Sequence, residues 1–188
     1  LACSLAGFTV ISPADEVSMK ALMRAAVEHV GPMFIRAGRV KAPVVYAADQ
    51  KFEIGKGVQV IDGGDITLIA TGLLVAESIR AAEALEAEGV SVRVIDLHTI
   101  KPIDRDIIAK AAAETGAIVV SEEHLVDSGL GVRVAQVVAE TNPCIMEFLG
   151  VNNTYAESGT PDGLLDKYNL VARGVLATAR KALARKKK

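Results

Sequence analysis

The 188 residues carry 21 Lys or Arg against 23 Asp or Glu, a formal net charge of −2, which gives no electrostatic ground for binding nucleic acid or a membrane surface. Hydrophobic residues make up 51% but aromatics only 4%, and there is no tryptophan. A core must then be built from Val, Ile, Leu and Ala, which suits a parallel sheet covered by helices on both faces.

The chain opens on Leu1 rather than methionine and shows no basic-then-apolar leader, so it reads as a fragment lacking its N-terminal part. Phe8 to Ile11 is a short apolar strand. Ser12-Pro13-Ala14-Asp15 then reads as a helix start, with Ser12 as N-cap, Pro13 at the first helical position and Asp15 as the acid that returns a bond to the cap. The helix runs to about His29, with Glu16, Lys20, Arg24 and Glu28 as a water-facing i,i+4 stripe, and Gly31-Pro32 ends it. Met33 to Arg36 is a second strand. Residues 40–56 have no periodicity and read as an extended connector, with a domain boundary near residue 50.

Past the connector a complete alternating pattern follows. A strand around Gly57 to Ile61 leads into Asp62-Gly63-Gly64-Asp65, whose glycines suit a hairpin. Ile66 to Ala70 is a buried strand and Thr71-Gly72 a break. The helix carrying Val75, Ile79, Ala82 and Leu85 stops at Gly89, and the strand Val92 to Leu97 runs into His98-Thr99-Ile100-Lys101-Pro102. This strand–helix–strand spacing predicts two parallel strands and a crossover helix. Asp104 caps a helix with Ile107, Ile108 and Ala111 inward. Ala117 to Ser121 is a third core strand, followed by the loop Glu122-Glu123-His124 and a helix with Val134, Val137 and Val138 on one side. Ile145 to Leu149 is a fourth core strand. A short helix from Thr160-Pro161 and a last helix, about Val171 to Ala184, complete the pattern, with Arg185 to Lys188 as a solvated tail. The fold class expected is α/β: a three-layer domain with a mixed, mostly parallel sheet over residues 51–188, preceded at 1–50 by the last part of a second α/β domain. No apolar run approaches the roughly 20 residues of a membrane span.

Several stretches invite a chemical reading. Gly129-Leu130-Gly131, after a strand and before a helix, has the outline of a dinucleotide turn. Its third small position would be Val134, too bulky for close packing, and Glu122-Glu123 would repel a pyrophosphate, so a glycine-permitted turn is the expectation. Thr71-Gly72 precedes a helix, where anions bind, but has no Lys or Arg beside it and reads as a turn. Glu122, Glu123 and His124 sit at the strand edge where open α/β sheets bind ligands. They suit proton transfer or a cation, or else hydrogen bonding across a loop or subunit contact. His98 has the same standing. Arg36 and Arg39 flank a glycine after a strand, a fork suited to phosphate or carboxylate; the competing reading is a surface salt bridge with Glu53 or Asp49. Cys3 and Cys144 fit neither a disulfide framework nor a metal-ligand spacing, which favours a reduced, cytoplasmic setting.

The stretches Gly64-Asp65-Ile66-Thr67-Leu68-Ile69-Ala70-Thr71-Gly72, Val94-Ile95-Asp96-Leu97-His98-Thr99-Ile100-Lys101-Pro102-Ile103-Asp104, Glu122-Glu123-His124 and Gly129-Leu130-Gly131 resemble the C-terminal domain of the transketolase family. Upstream, Thr9-Val10-Ile11-Ser12-Pro13-Ala14-Asp15 and Phe34-Ile35-Arg36-Ala37-Gly38-Arg39 resemble the end of that family's pyrimidine-binding domain. The match runs in order over nearly the whole chain and is most similar to the C-terminal section of split, two-gene transketolases. 1-Deoxyxylulose-5-phosphate synthase shares the domain but usually shows Tyr-Pro-Arg-Gly where this chain has Ala37-Gly38-Arg39-Val40. Two further readings compete: a beta subunit of a 2-oxoacid dehydrogenase, which would bind a dihydrolipoyl acyltransferase, and a non-catalytic assembly or regulatory module of the same fold.

The resemblance implies a pentose-phosphate-pathway enzyme in which thiamine diphosphate and magnesium sit between a diphosphate-binding domain and the pyrimidine-binding domain of another subunit. A Glu of the latter activates the cofactor, and a two-carbon ketol unit passes between sugar phosphates. This chain has neither the Gly-Asp-Gly metal motif nor the stretch holding that Glu. The resemblance therefore implies no catalytic, cofactor or metal residue here, and partnership with an N-terminal transketolase section and with a second copy of the chain. It implies that Arg36 contacts the substrate phosphate, with Arg39 as a second contact.

Overall fold

In the computed structural model, residues 1–38 and 41–186 are described. Thr9–Ile11 (β1), Glu16–Glu28 (α1) and Met33–Ile35 (β2) make a strand–helix–strand unit. β1 and β2 are parallel, in register from Thr9 opposite Met33 to Ile11 opposite Ile35. The cap of α1 is Asp15, not Ser12. The Asp15 carboxylate accepts the Ser18 N–H at 2.8 Å, and Ser18 Oγ accepts the Asp15 N–H at 3.0 Å. Ser12 is committed elsewhere: its N–H donates to the His98 carbonyl at 2.8 Å and its carbonyl accepts the Thr71 hydroxyl at 3.2 Å.

The connector forms neither helix nor strand from Lys41 to Gly57, yet it is held along its length. The second carboxylate oxygen of Asp15 accepts the Val45 and Tyr46 amides at 2.9 and 3.1 Å. The Tyr46 hydroxyl donates to Asp96, Gly55 N to Thr99 Oγ1 and Gly57 N to Asp104. Phe52 stands edge-on between the rings of Tyr46 and His98, at centroid distances of 4.9 and 5.4 Å.

Val58–Ile61 (β3), Ile66–Ala70 (β4), Leu74–Glu86 (α2), Val92–Asp96 (β5), Thr99–Lys101 (β6), Arg105–Thr115 (α3), Ala117–Leu125 (β7), Leu130–Glu140 (α4), Ile145–Val151 (β8), Pro161–Lys167 (α5) and Ala172–Lys186 (α6) follow. The larger sheet has the order β3-β5-β4-β7-β8, parallel except for the β3–β5 pair. All five residues of β4 and of β5 are buried, which is why these strands read as mostly apolar, with buried Arg93 and Asp96 as the charged exceptions in β5. On one face Leu68, Val94 and Val119 pack with Leu74 and Leu85 of α2 and Val175 of α6. On the other, Ile69, Ile95 and Val120 pack with Ile108 of α3 and Val134 and Val137 of α4. The three-layer, mixed and mostly parallel architecture expected for residues beyond the connector is the one observed.

Two local expectations are corrected and one segment is placed. Asp62 to Asp65 does not close a hairpin, because β3 pairs with β5 and β4 lies beyond it. The turn crosses the start of β5 at close range: a Cβ on Gly63 would come 2.3 Å from the Val92 backbone, and Asp65 N donates to Ser91 O. The segment after His98, to which the sequence pattern assigns no element, is β6, which returns to the first sheet and pairs antiparallel with β1, giving the order β2-β1-β6. Arg185 and Lys186 are not a solvated tail. Arg185 donates to Glu147 at 2.6 Å, and Lys186 Nζ donates to the Asp65 and Thr115 carbonyls at 2.9 and 2.7 Å. Among the described residues, no helix is long and apolar enough to cross a membrane.

Candidate functional site: a cleft at the ends of β1 and β2

The carboxyl ends of parallel strands open onto the crevices where α/β proteins hold ligands. At the ends of β1 and β2 lies a cleft of about 230 Å³, lined among others by Ser12, Arg36, Lys41, Gly72, Leu73 and Glu123. The Arg36 amide donates to Ile11 O at 2.8 Å, which fixes its backbone just past β2. Its guanidinium Nη2 lies 3.4 Å from Oε2 of Glu123, with the two side chains 37% and 36% exposed. The partner is thus Glu123 and not Glu53 or Asp49. Two further clefts meet at this pair, each lined by both Arg36 and Glu123. Arg39, the other half of the expected fork, lies outside the described residues.

The Glu122-Glu123-His124 stretch belongs to β7, which is longer than its apolar pattern suggests. The β7–β8 pairing is irregular across these residues, and the two glutamates have separate partners and do not converge. Glu122 turns to the start of α4, where its carboxylate accepts the Leu130 N–H at 2.7 Å and the Gly131 N–H at 2.8 Å. Burial pushes its carboxyl above the usual range, and the two amides, with His124 and Arg36 nearby, pull it back. Glu123 faces the cleft, while His124 is exposed with Nδ1 3.2 Å from Leu125 O. The three residues therefore do not form one acid–base or cation site. The same geometry explains the glycine at 129. The free amides at the head of α4, which could hold a phosphate, are already taken by Glu122, and a Cβ on Gly129 would come 1.8 Å from that carboxylate.

Thr71-Gly72 is a docking turn between the sheets. Thr71 donates to Ser12 O, and Gly72 has φ +59 with space for a Cβ only 3.1 Å from Ser12 Oγ. His98 does not reach the cleft. It is fully buried, with Nδ1 3.0 Å from Thr99 Oγ1. Burial lowers its pKa to about 4, against a smaller opposing effect of Asp104. Its carbonyl and ring tie β1 and the connector together.

One charged residue was missed in the sequence. Asp96 ends β5 fully buried, and its Oδ2 accepts the Tyr46 hydroxyl at 2.8 Å. Burial raises its pKa to about 7, the Tyr46 bond opposing and Asp15 adding to the shift. The Tyr46 phenol is pushed upward as well, by burial first and by Asp96 second. An acid closing the apolar run Val92-Arg93-Val94-Ile95-Asp96 was the available signal.

The cleft does not fit a diphosphate with its metal. Among the described residues no three His, Cys, Asp or Glu side chains are grouped to hold a metal ion, and the α4 amides are occupied. The arrangement does suit a single anionic group at Arg36.

The family model described as the transketolase C-terminal domain matches residues 55–175. A 6-deoxy-6-sulfo-D-fructose transketolase subunit of Clostridium sp. (strain MSTE9) is 34% identical over 183 residues, taking in 97% of this chain and 57% of the relative. An apulose-4-phosphate transketolase subunit of Phocaeicola vulgatus is 34% identical over 174 residues, 92% of this chain and 55% of the relative. The solved structure of a split gene transketolase, an inactive beta4 tetramer, superposes with a TM-score of 0.92 at 43% identity, covering 96% of this chain and 59% of its own. The chain thus spans a little over half the length of these relatives. It belongs to the transketolase family and carries that family's C-terminal domain.

Proposed function

We propose that this chain is the C-terminal part of a thiamine-diphosphate-dependent transketolase, active only together with an N-terminal section. The observation that carries this reading is the place of Arg36: it stands at the carboxyl ends of β1 and β2, in an open cleft, in a chain that aligns nearly end to end with transketolase subunits. Both curated relatives are named for sugars with an anionic end, a sulfo group in one and a phosphate in the other. A guanidinium beside a small cleft is the group such an end needs. In this reading Arg36 binds the phosphate of a sugar substrate and orients the sugar, with Arg39 as the second contact. No residue of this chain touches the reacting carbons.

Thiamine diphosphate, held with magnesium by the N-terminal section, supplies the carbanion chemistry of ketol transfer. The division of this chain into a pyrimidine-domain tail, 1–50, and a C-terminal domain, 51–188, is supported by the start of the family match at residue 55. The inactive beta4 tetramer formed by the solved relative supports self-association and the need for a separate catalytic partner. The two free cysteines accord with a reduced, cytoplasmic setting.

The test is Arg36→Ala in the enzyme reconstituted with its N-terminal section. Losing a charge-assisted contact costs on the order of 1.5–3 kcal/mol, so KM for a phosphorylated sugar should rise roughly 10- to 100-fold, while KM for an unphosphorylated sugar stays put. Unchanged KM for the phosphorylated sugar would remove Arg36 from the site.

A further inference from the structure

We propose that Glu123 is a specificity-determining residue of the cleft: a resident counter-ion that must yield Arg36 to an incoming anion and then repels that anion in proportion to its charge. The inference rests on the reading that Arg36 holds the anionic end of the substrate. Its own support is the contrast between the two neighbouring glutamates. Glu122 is buried and doubly bonded to backbone amides. Glu123 is partly exposed, and its only partner among the described residues is Arg36, at 3.4 Å and without hydrogen-bond geometry. An exposed pair of this kind is weak, so a bidentate anion displaces it readily.

Displacement does not remove the carboxylate. Glu123 sits on β7 within an irregular stretch of the β7–β8 pairing, held between the Ser121–Leu149 and Leu125–Val151 pairs and next to the Glu122 bonds to α4. Its charge therefore stays at the cleft while Arg36 turns to the ligand. Beyond this pair the charged groups lining the cleft are Asp15, Glu16 and Lys41. The Asp15 carboxylate is occupied by the Ser18, Val45 and Tyr46 amides, and Glu16 is drawn outward to Lys20. Glu123 is then the acid best placed to act on an anion at Arg36. Coulomb repulsion scales with ligand charge, so this residue penalises a phosphate dianion about twice as heavily, in free energy, as a sulfonate monoanion. It narrows the preference for phosphate that Arg36 alone would give.

The experiment titrates the isotope-labelled chain with inorganic phosphate and with methanesulfonate at pH 8, following the backbone amides of Ser12 and Gly38, in the native chain and in Glu123→Gln, Glu123→Asp and Arg36→Ala. Glu123→Gln should tighten phosphate about 10-fold and methanesulfonate about 3-fold, the twofold ratio of logarithms following from the ligand charges. Glu123→Asp, which keeps the charge, should retain the native ratio of the two affinities. If Glu123→Gln leaves that ratio unchanged, or Glu123→Asp alters it as much as Gln does, Glu123 does not set the preference, even where Arg36→Ala abolishes binding. If Arg36→Ala binds both anions as the native chain does, the reading of Arg36 itself fails, and this inference with it.

Discussion

Gly129 is glycine because Glu122 occupies the space its side chain would need: a Cβ there would come 1.8 Å from Oε2 of the carboxylate that caps α4. The backbone at Gly129 has φ −99 and ψ −145, outside the ordinary strand and helix regions. Gly129→Ala therefore tests the contact together with this backbone setting. The methyl group drives Glu122 off the Leu130 and Gly131 amides and leaves a buried carboxylate without partners. A loss of about 2–3 kcal/mol is expected from the lost cap and desolvated charge, read as a lower midpoint in chemical denaturation. A loss under about 0.5 kcal/mol would mean that Glu122 finds another seat.

Asp15 joins α1 to the connector with one carboxylate. Oδ1 caps α1 through Ser18, and Oδ2 takes the Val45 and Tyr46 amides of the connector. Asp15→Ala should cost about 2–4 kcal/mol, a cap plus charge-assisted bonds, and should speed hydrogen exchange at Val45 and Tyr46 more than at Leu68 or Val94 in the sheet. Equal protection of Val45 and Tyr46 in the variant and the native chain would show that the connector is held by its aromatic packing alone.

The pH dependence of stability separates Asp96 from His98. A free aspartate titrates near about 3.9, whereas Asp96 in the fold titrates at about 7. A carboxyl raised on folding stabilises the fold fully below about pH 4, and this contribution is lost as pH rises through about 7. His98 runs the other way: its folded value of about 4 lies below the free value of about 6.5, so its contribution is complete above about pH 6.5 and is lost as pH falls through 4. Between pH 6.5 and 8 the Asp96 slope is free of the His98 contribution. The native chain should lose up to about 1 kcal/mol across that window, and Asp96→Asn, which still accepts the Tyr46 hydroxyl, should not. The same slope in the variant would place its origin elsewhere.

What the sequence made legible was mostly what local chemistry decides. The largely apolar runs Ile66 to Ala70 and Val92 to Leu97 identify buried parallel strands, and Asp104 and Thr160 mark their helix starts by side-chain caps that the fold contains. Pairing across the chain was not legible. Gly63 and Gly64 announce a turn, but nothing local tells that β5 inserts between the strands it joins. His98 to Pro102 announces an end to β5, but not that Thr99–Lys101 returns to β1. Glu122 and Glu123 look like a pair because they are adjacent, and only the continuation of β7 past the apolar run ending at Val120 gives them separate partners. At the cleft, Arg36 could be singled out by its place after a strand, whereas its partner Glu123 comes from the other sheet and no spacing encodes it.

The most direct measurement of the central claim is a ketol-transfer assay with a phosphorylated ketose donor and aldose acceptor, thiamine diphosphate and magnesium, run with this chain alone, with an N-terminal transketolase section alone, and with both. The account predicts turnover only when both are present. Turnover by this chain alone, or none from a mixture in which the two sections have formed a stable complex, would contradict it.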